Sequence, residues 1–250
     1  MGSPPAIAAL REKIKRIEAG SHHATVALPF GLPMIDAHLP GGGLAMGALH
    51  EVAGGGNGAI DGAAAALFTA GIAARARGPV LWCVIRQDLF APALSQAGLA
   101  PDRVVYVEAG DEKTVLACFE EGLRHGGLGS AVAEVGRMTM INSRRLQLAA
   151  ESSGTLGIAI RRWRRQSDAA DFGQPTAAAT RWRVTVLPSV ALPVPGVGRP
   201  RWLVELIRCR AGESADFEVE ACDAQGRLDI PADLADRQAH PRTEALRAAG

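Results

Sequence analysis

With 250 residues, 48% of them hydrophobic, the chain can bury a sizeable core in one large domain or two small ones. Only 21% of residues are charged and the formal net charge is +1, a balance that sets aside a disordered tail protein. The four cysteines (Cys83, Cys118, Cys209 and Cys222) are far apart and form no CxxC pair. They are expected to stay reduced in a cytosolic protein, with Cys83 and Cys118 in the core, rather than to frame a metal or a disulfide. "REKIKRIE" stands where a signal peptide would need an apolar run, and no stretch approaches ~18 consecutive apolar residues. Secretion and membrane insertion are therefore not expected.

In chain order, "PAIAALREKIKRIEA" (5–19) puts Ile7, Leu10, Ile14 and Ile17 on one helical face with charges opposite. This predicts a short amphipathic helix ended by Gly20. Residues 21–47 are broken by proline and glycine and read as loops with a short helical piece. From residue 48 strands and helices alternate: strand 48–53, helix 60–77, strand 79–85, helix 88–98, strand 103–109 and helix 111–125. Strand 130–135, helix 140–151 and strand 155–163 follow. Apolar strands spaced by helices indicate βαβ units and a parallel sheet covered on both faces. Three further strands, 179–189, 199–211 and 215–223, are separated by turns and predict an antiparallel extension of that sheet. The fold class is thus α/β, organised as an N-terminal helix (1–20), one main domain (21–226) and a polar tail (227–250).

The segment "EVAGGGNGAIDGAAAALFTAGIAA" (51–74) runs from an apolar strand through a glycine-rich turn into an alanine-rich helix. Phosphate-binding loops of the form G-x-x-x-x-G-K-[ST] are built this way: glycines let backbone N–H groups close on the phosphate, lysine reaches its outer oxygens, and a hydroxyl holds magnesium. Counted from Gly54, through Gly55, Gly56 and Gly58, the second glycine falls on Ala59, the lysine on Ile60 and the hydroxyl on Asp61. No lysine lies between Lys15 and Lys113 and no arginine between Arg16 and Arg75, so shifting the frame does not restore the motif. A carboxylate at the helix mouth would repel a triphosphate by about 4 kcal/mol per charge pair at ~4 Å for an effective dielectric near 20. The loop reads either as a turn kept for its geometry or as a residual nucleotide site.

"MIDAHLPGGGLAMGALHEVAGGG" (34–56) resembles the approach to the phosphate loop in RecA-type recombinases: a helix, a double glycine, G-L-x-x-G, then an apolar strand with a glutamate. The resemblance extends over roughly residues 30–210, including "IAIRRWRRQSDAADFGQPTAAATRWRVTVLPS", which is similar to the recombinase strand, mobile DNA-binding loop and next strand. A narrower resemblance is to the ImuA family, RecA-like accessory proteins of the bacterial mutagenesis cassette. It is carried by "FGLPMIDAHLPGGGLAMGALHEV", "SRRLQLAAESSG", "RWRVTVLPS" and the paired strands of 199–226. Where a recombinase has its catalytic glutamate, this chain has Arg86, Gln87 and Asp88, with Gln87 nearest in alignment and Asp88 able to substitute only if the register slips by one; where the metal-side aspartate would stand it has Glu134, a longer carboxylate. Phosphoryl transfer needs a phosphate cradle, a metal and a water-positioning base together. At most one of the three survives, so an ATPase is not expected and no cofactor is implied.

Between Arg137 and Arg183 there are nine arginines against three acids, and the densest part is Arg161, Arg162, Trp163, Arg164 and Arg165. Strand alternation sends Arg161, Trp163 and Arg165 to one side and Arg162 and Arg164 to the other. The cluster could bind single-stranded DNA through phosphate pairing and stacking of an exposed Trp163, meet an acidic protein surface, or only be solvated. The loop 167–180 is expected to be mobile until something binds. The N-terminal helix could pack on a neighbouring subunit, as in recombinases, or fold back on its own domain. His22 and His23 have no further ligand at metal spacing, and Ser143, Ser152 and Ser153 lack a nucleophile elbow.

What the ImuA resemblance implies is a non-catalytic cytoplasmic accessory in damage-induced, error-prone translesion DNA synthesis. Its implied partners are an ImuB-type inactive Y-family polymerase homologue, an error-prone C-family DNA polymerase and RecA itself. Two other functions fit a recombinase body without a working loop: a SulA-like cell-division inhibitor, and a switch ATPase with residual nucleotide binding.

Overall fold

The computed structural model describes residues 26–56, 58–163, 169, 172–189, 196 and 198–231. The expected N-terminal helix, Arg164, Arg165 and residues 232–250 lie outside them. Strand β1 (Ala27–Leu28) and helix α1 (Pro33–Asp36) lead to β2 (Leu44–Ala45) and β3 (Leu49–Gly54). There follow α2 (Gly58–Arg75), β4 (Val80–Val84), α3 (Ala91–Gln96), β5 (Val104–Glu108), α4 (Glu112–His125), β6 (Ser130–Val135), α5 (Met140–Ser153) and β7 (Leu156–Arg161). Strands β8 (Thr180–Leu187), β9 (Arg201–Cys209) and β10 (Ala215–Glu220) complete the order.

Local chemistry sets the helix ends. Asp111 caps α4 by accepting from the Thr114 amide at 3.0 Å, and Gly126 ends it at φ 71°. Thr139 caps α5 in the same way through the Asn142 amide at 3.1 Å. Helix α3 starts at residue 91 rather than 88, because Pro92 belongs in a first helical turn, where its missing N–H costs nothing.

The main sheet has eight strands in the order β10-β9-β8-β3-β7-β6-β4-β5. The six strands from β8 to β5 are parallel, and β9 and β10 are antiparallel. The antiparallel extension therefore begins one strand later than expected: the chain between β7 and β8 crosses back, so β8 enters beside β3 in the parallel sense. Helices α2 and α3 pack on one face with the segment from Phe30 to Leu44, and α4 and α5 pack on the other. Strands β3, β6 and β7 are buried on both faces, so their sequences are mostly apolar and the polar residues they carry, among them His50, Glu51, Glu134 and Arg161, are buried too.

On the first face Phe30, Phe68 and Trp182 stand 5.4–6.0 Å apart, and Trp202 meets Phe68 edge-on at 6.4 Å. Each such ring buries on the order of 4–6 kcal/mol of apolar surface, so this cluster welds α2 to the β8–β9 half of the sheet. Two details were not expected. Strands β1 and β2 form a separate two-stranded ribbon. The packed body also continues past residue 226, because Leu228 is buried and Asp229 bridges to Glu220 beside β10. A turn returning the Arg227 carbonyl to the Asp223 amide at 2.9 Å directs it there.

All four cysteines are free thiols. Burial pushes the Cys83 and Cys222 thiols up to about 12. At pH 8 almost no thiolate exists at either position. Ellman titration of the native protein should leave both unmodified until denaturant is added; fast labelling of either would refute their placement. Among the described residues no helix is long and apolar enough to cross a membrane.

Candidate functional site

The carboxyl ends of β3, β4, β6 and β7 converge on the turn that follows β3, where Gly54, Gly55, Gly56 and Trp163 line one cavity; Arg164, Arg165, Ile7, Leu10, Ile14 and Ile17 lie outside the described residues. Gly54 lies directly under the first turns of α2: a Cβ added to it would stand 2.7 Å from the Asp61 carbonyl carbon and from the Gly62 nitrogen. One added to Gly55 would stand 2.2 Å from Thr185 Oγ1. These glycines are thus needed for helix and strand to close on the turn, whatever the turn once bound.

Ile60, at the lysine position, is 55% exposed and offers no charge. Asp61 stands in the first turn of α2, as its place in the sequence suggested, with its carboxylate beside Gly55, but it is turned inward. It is 1% exposed, and its Oδ1 accepts the Val186 amide at 2.9 Å. The carboxylate favours the positive end of α2 and ties that helix to the far end of β8. Its role is structural.

Asp88, one residue past Gln87, and Glu134 meet beyond the strand ends, joined by an arginine. Arg162 donates from Nη1 and Nη2 to Asp88 Oδ1 and Oδ2 at 2.8 and 3.1 Å, and from Nη1 to Glu134 Oε2 at 2.5 Å. Glu134 Oε1 also accepts from the buried Trp82 indole at 3.2 Å. The hydrogen bond and charge of Arg162 hold the Asp88 carboxyl below the usual carboxylate range, and Asp88 and Glu134 raise the arginine in turn. A guanidinium therefore neutralises the acids that would otherwise face a metal. With Ile60 for lysine, a buried Asp61 and this clamp, the residues present do not fit a magnesium-bound triphosphate.

A second network lies on the other face, next to β3. Glu51 is fully buried between Arg161 and Arg181, with Arg161 Nη1 at 2.7 Å from Oε2 and Arg181 Nη2 at 3.4 Å from Oε1. Register explains the meeting: Arg181 lies opposite Glu51 on β8, and Arg161 lies opposite Ala53 on β7. Thr176 donates its hydroxyl to Glu51 Oε1. Arg181 also donates to the carbonyls of Phe172 and Gln174 at 2.5 and 2.8 Å, and its guanidinium lies 5.0 Å from the Phe172 ring centre.

This network corrects two expectations. Arg161 is not a surface contact, since its side chain is fully buried. Residues 172–179 are not loose either: beyond the Arg181 contacts, Ser143 Oγ accepts the Ala177 amide at 3.0 Å, and Arg208 and Arg210 donate to the Thr176 and Ala177 carbonyls. Alternation of Arg161 and Arg162 across β7 holds, but both guanidiniums serve carboxylates of their own chain. Trp163 is half-buried and packs edge-on against Phe172 at 5.7 Å.

Beside Gly54–Gly56 lies a cavity of about 300 Å³ walled by Trp163, Phe172 and Thr185. Arg183 lines it, but its Nε and Nη2 are bound to Glu205 at 2.6 and 2.5 Å. That guanidinium too is already neutralised.

No family model matches the chain. Over 218 residues it is 39% identical to Protein ImuA from two strains of Caulobacter vibrioides, covering 83% of this chain and 88% of that protein. Its backbone is similar to the crystal structure of the RadB recombinase, with a TM-score of 0.56, 18% identity, and coverage of 82% of this chain and 99% of that one. The structural likeness, with the mostly parallel sheet and its antiparallel extension, establishes a RecA-like α/β fold. The sequence likeness, long and nearly full-length on both sides, places the chain in the ImuA family.

Proposed function

We propose that this ImuA-family protein is a non-catalytic RecA-like accessory in error-prone translesion DNA synthesis, acting by contact with other macromolecules. One observation carries the loss of catalysis: Arg162 occupies both Asp88 and Glu134. A triphosphate site needs cation and acid in the opposite arrangement, with positive charge at the loop and free carboxylates at the strand ends. The partners we assign are an ImuB-type inactive polymerase homologue, an error-prone C-family polymerase and RecA. Any single-stranded DNA contact falls to Arg164 and Arg165, since Arg161 and Arg162 are engaged internally.

Titration calorimetry with magnesium and ATP should give no saturable heat. Micromolar binding would overturn the non-catalytic reading and favour a switch ATPase. A pull-down then separates the remaining alternatives: retention of the ImuB-type partner supports the accessory role, and retention of the division GTPase instead would indicate a SulA-like inhibitor.

A further inference from the structure

Helices α4 and α5 lie side by side on one face of the sheet, both starting at its carboxyl end. Between their first two turns runs a groove of about 500 Å³. Leu116 and Leu146 supply its apolar lining, and Lys113, Arg137 and Arg145 stand around it against Glu112 and Glu120. Both acids are committed within the chain. Glu120 is held by Arg124 and Arg145, each at 2.6 Å, and Glu112 accepts the Arg137 amide at 2.6 Å. Lys113 and Arg137 are exposed, and neither side chain forms an ion pair among the described residues. Helix α5 adds to the positive side, because its first turn holds no acid and its cap is the neutral Thr139. Helix α4 does not, since Asp111 caps it.

The apolar surface continues past the groove. Ile141 and Leu148 lie four residues before and three after Arg145, on the flank of α5 that leads outward from it. They are 73% and 63% exposed. A single exposed leucine needs no explanation, but here an aligned apolar pair adjoins an apolar lining and two cations without ion pairs.

We propose that the groove between α4 and α5 docks a short acidic segment of a partner protein, one that carries one or two large apolar side chains among its carboxylates. The chemistry selects that occupant. A nucleic acid would satisfy Lys113 and Arg137 with phosphates but leave Leu116, Ile141 and Leu148 without apolar contact. A purely apolar segment would strip water from both cations and return no charge. A second copy related by a two-fold axis would bring the same cations against themselves. From Lys113 to Glu120 the groove is ~10 Å long, room for about two helical turns or three extended residues. No groove residue belongs to the acid–arginine clamp, so binding of ATP would overturn the non-catalytic reading and leave the groove untouched.

The test is selection of random twelve-residue peptides, displayed on phage, against the immobilised full chain. Enriched peptides should combine Asp or Glu with Leu, Ile, Phe or Trp. A synthetic copy of the leading peptide should lose affinity at least ~10-fold on the double variant Lys113→Glu/Arg137→Glu and on Ile141→Glu. It should keep its affinity on Arg77→Glu, an exposed cation beyond the end of α2. Hydrogen exchange of the unmutated chain with that peptide should slow within residues 112–120 and 137–148, a readout independent of how the variants fold. Enrichment of basic peptides, no enrichment, protection elsewhere or full binding by the double variant would overturn the proposal. So would a twelve-nucleotide oligothymidylate that slows exchange over the same residues, the mark of a nucleic-acid surface.

Discussion

Replacing Glu51 with alanine should destabilise the protein by about 3–5 kcal/mol, the range found when one member of a buried ion pair is removed. The size follows from what remains. Two guanidiniums would stay buried on the strands that flank β3 without the carboxylate between them, against the carbonyls of Gly136, Phe172 and Gln174, the Thr176 hydroxyl and the Phe172 ring. Thr176 would lose its acceptor as well, so the segment leading into β8 would loosen with the sheet. Glu51→Gln keeps an acceptor oxygen and should cost less. Urea denaturation at neutral pH measures both; a loss below ~1 kcal/mol for Glu51→Ala would mean that water reaches the arginines after all.

Acid should destabilise the protein well before its carboxylates titrate, through His50. Its ring is enclosed, with Nδ1 2.7 Å from Thr180 Oγ1 and Nε2 2.9 Å from the Ala45 carbonyl, and burial lowers its pKa to about 4. The unfolded chain, with its imidazole near 6.5, takes up the proton first as pH falls. Stability from this group is therefore present above pH ~6.5 and is lost progressively down to about pH 4, by ~3 kcal/mol in total. Asp88, held down by Arg162, acts in the same direction but in a lower window, below the ordinary carboxylate value. Denaturation curves across pH 4–7 should show the slope in the native protein and its absence in His50→Gln. Equal slopes would discard His50 as the cause.

Most of the fold could be read from sequence because each parallel strand announces itself as a short apolar run between two amphipathic or alanine-rich helices. The strand Ser130–Val135 was placed to the residue. The pairing sense of β8 could not be read in this way: its composition suits either sense, and nothing in the sequence of the chain between β7 and β8 announces the crossing that decides it. The site divides similarly. The missing lysine at Ile60 and the acids Asp88 and Glu134 are visible because a motif says where to look. The roles of Arg161, Arg162 and Asp61 are not, because they depend on partners far away in the chain. Arg161 pairs with a residue 110 positions earlier, and Arg162 with one 74 earlier. A run of arginines looks like a solvated or DNA-facing surface until strand register reveals the opposing carboxylates. One clue was present: Glu51, a lone acid in an otherwise apolar central strand, required a cation somewhere.

The Arg162 clamp also bears on how this lineage can change. A lysine placed at position 60 would still face acids held by another cation, and loss of Arg162 alone would take its guanidinium from Glu134 and leave Asp88 with the longer contact to Arg86 at 3.9 Å. The clamp ties three distant positions to one another, so a change at Asp88, Glu134 or Arg162 alters the charge that the other two meet.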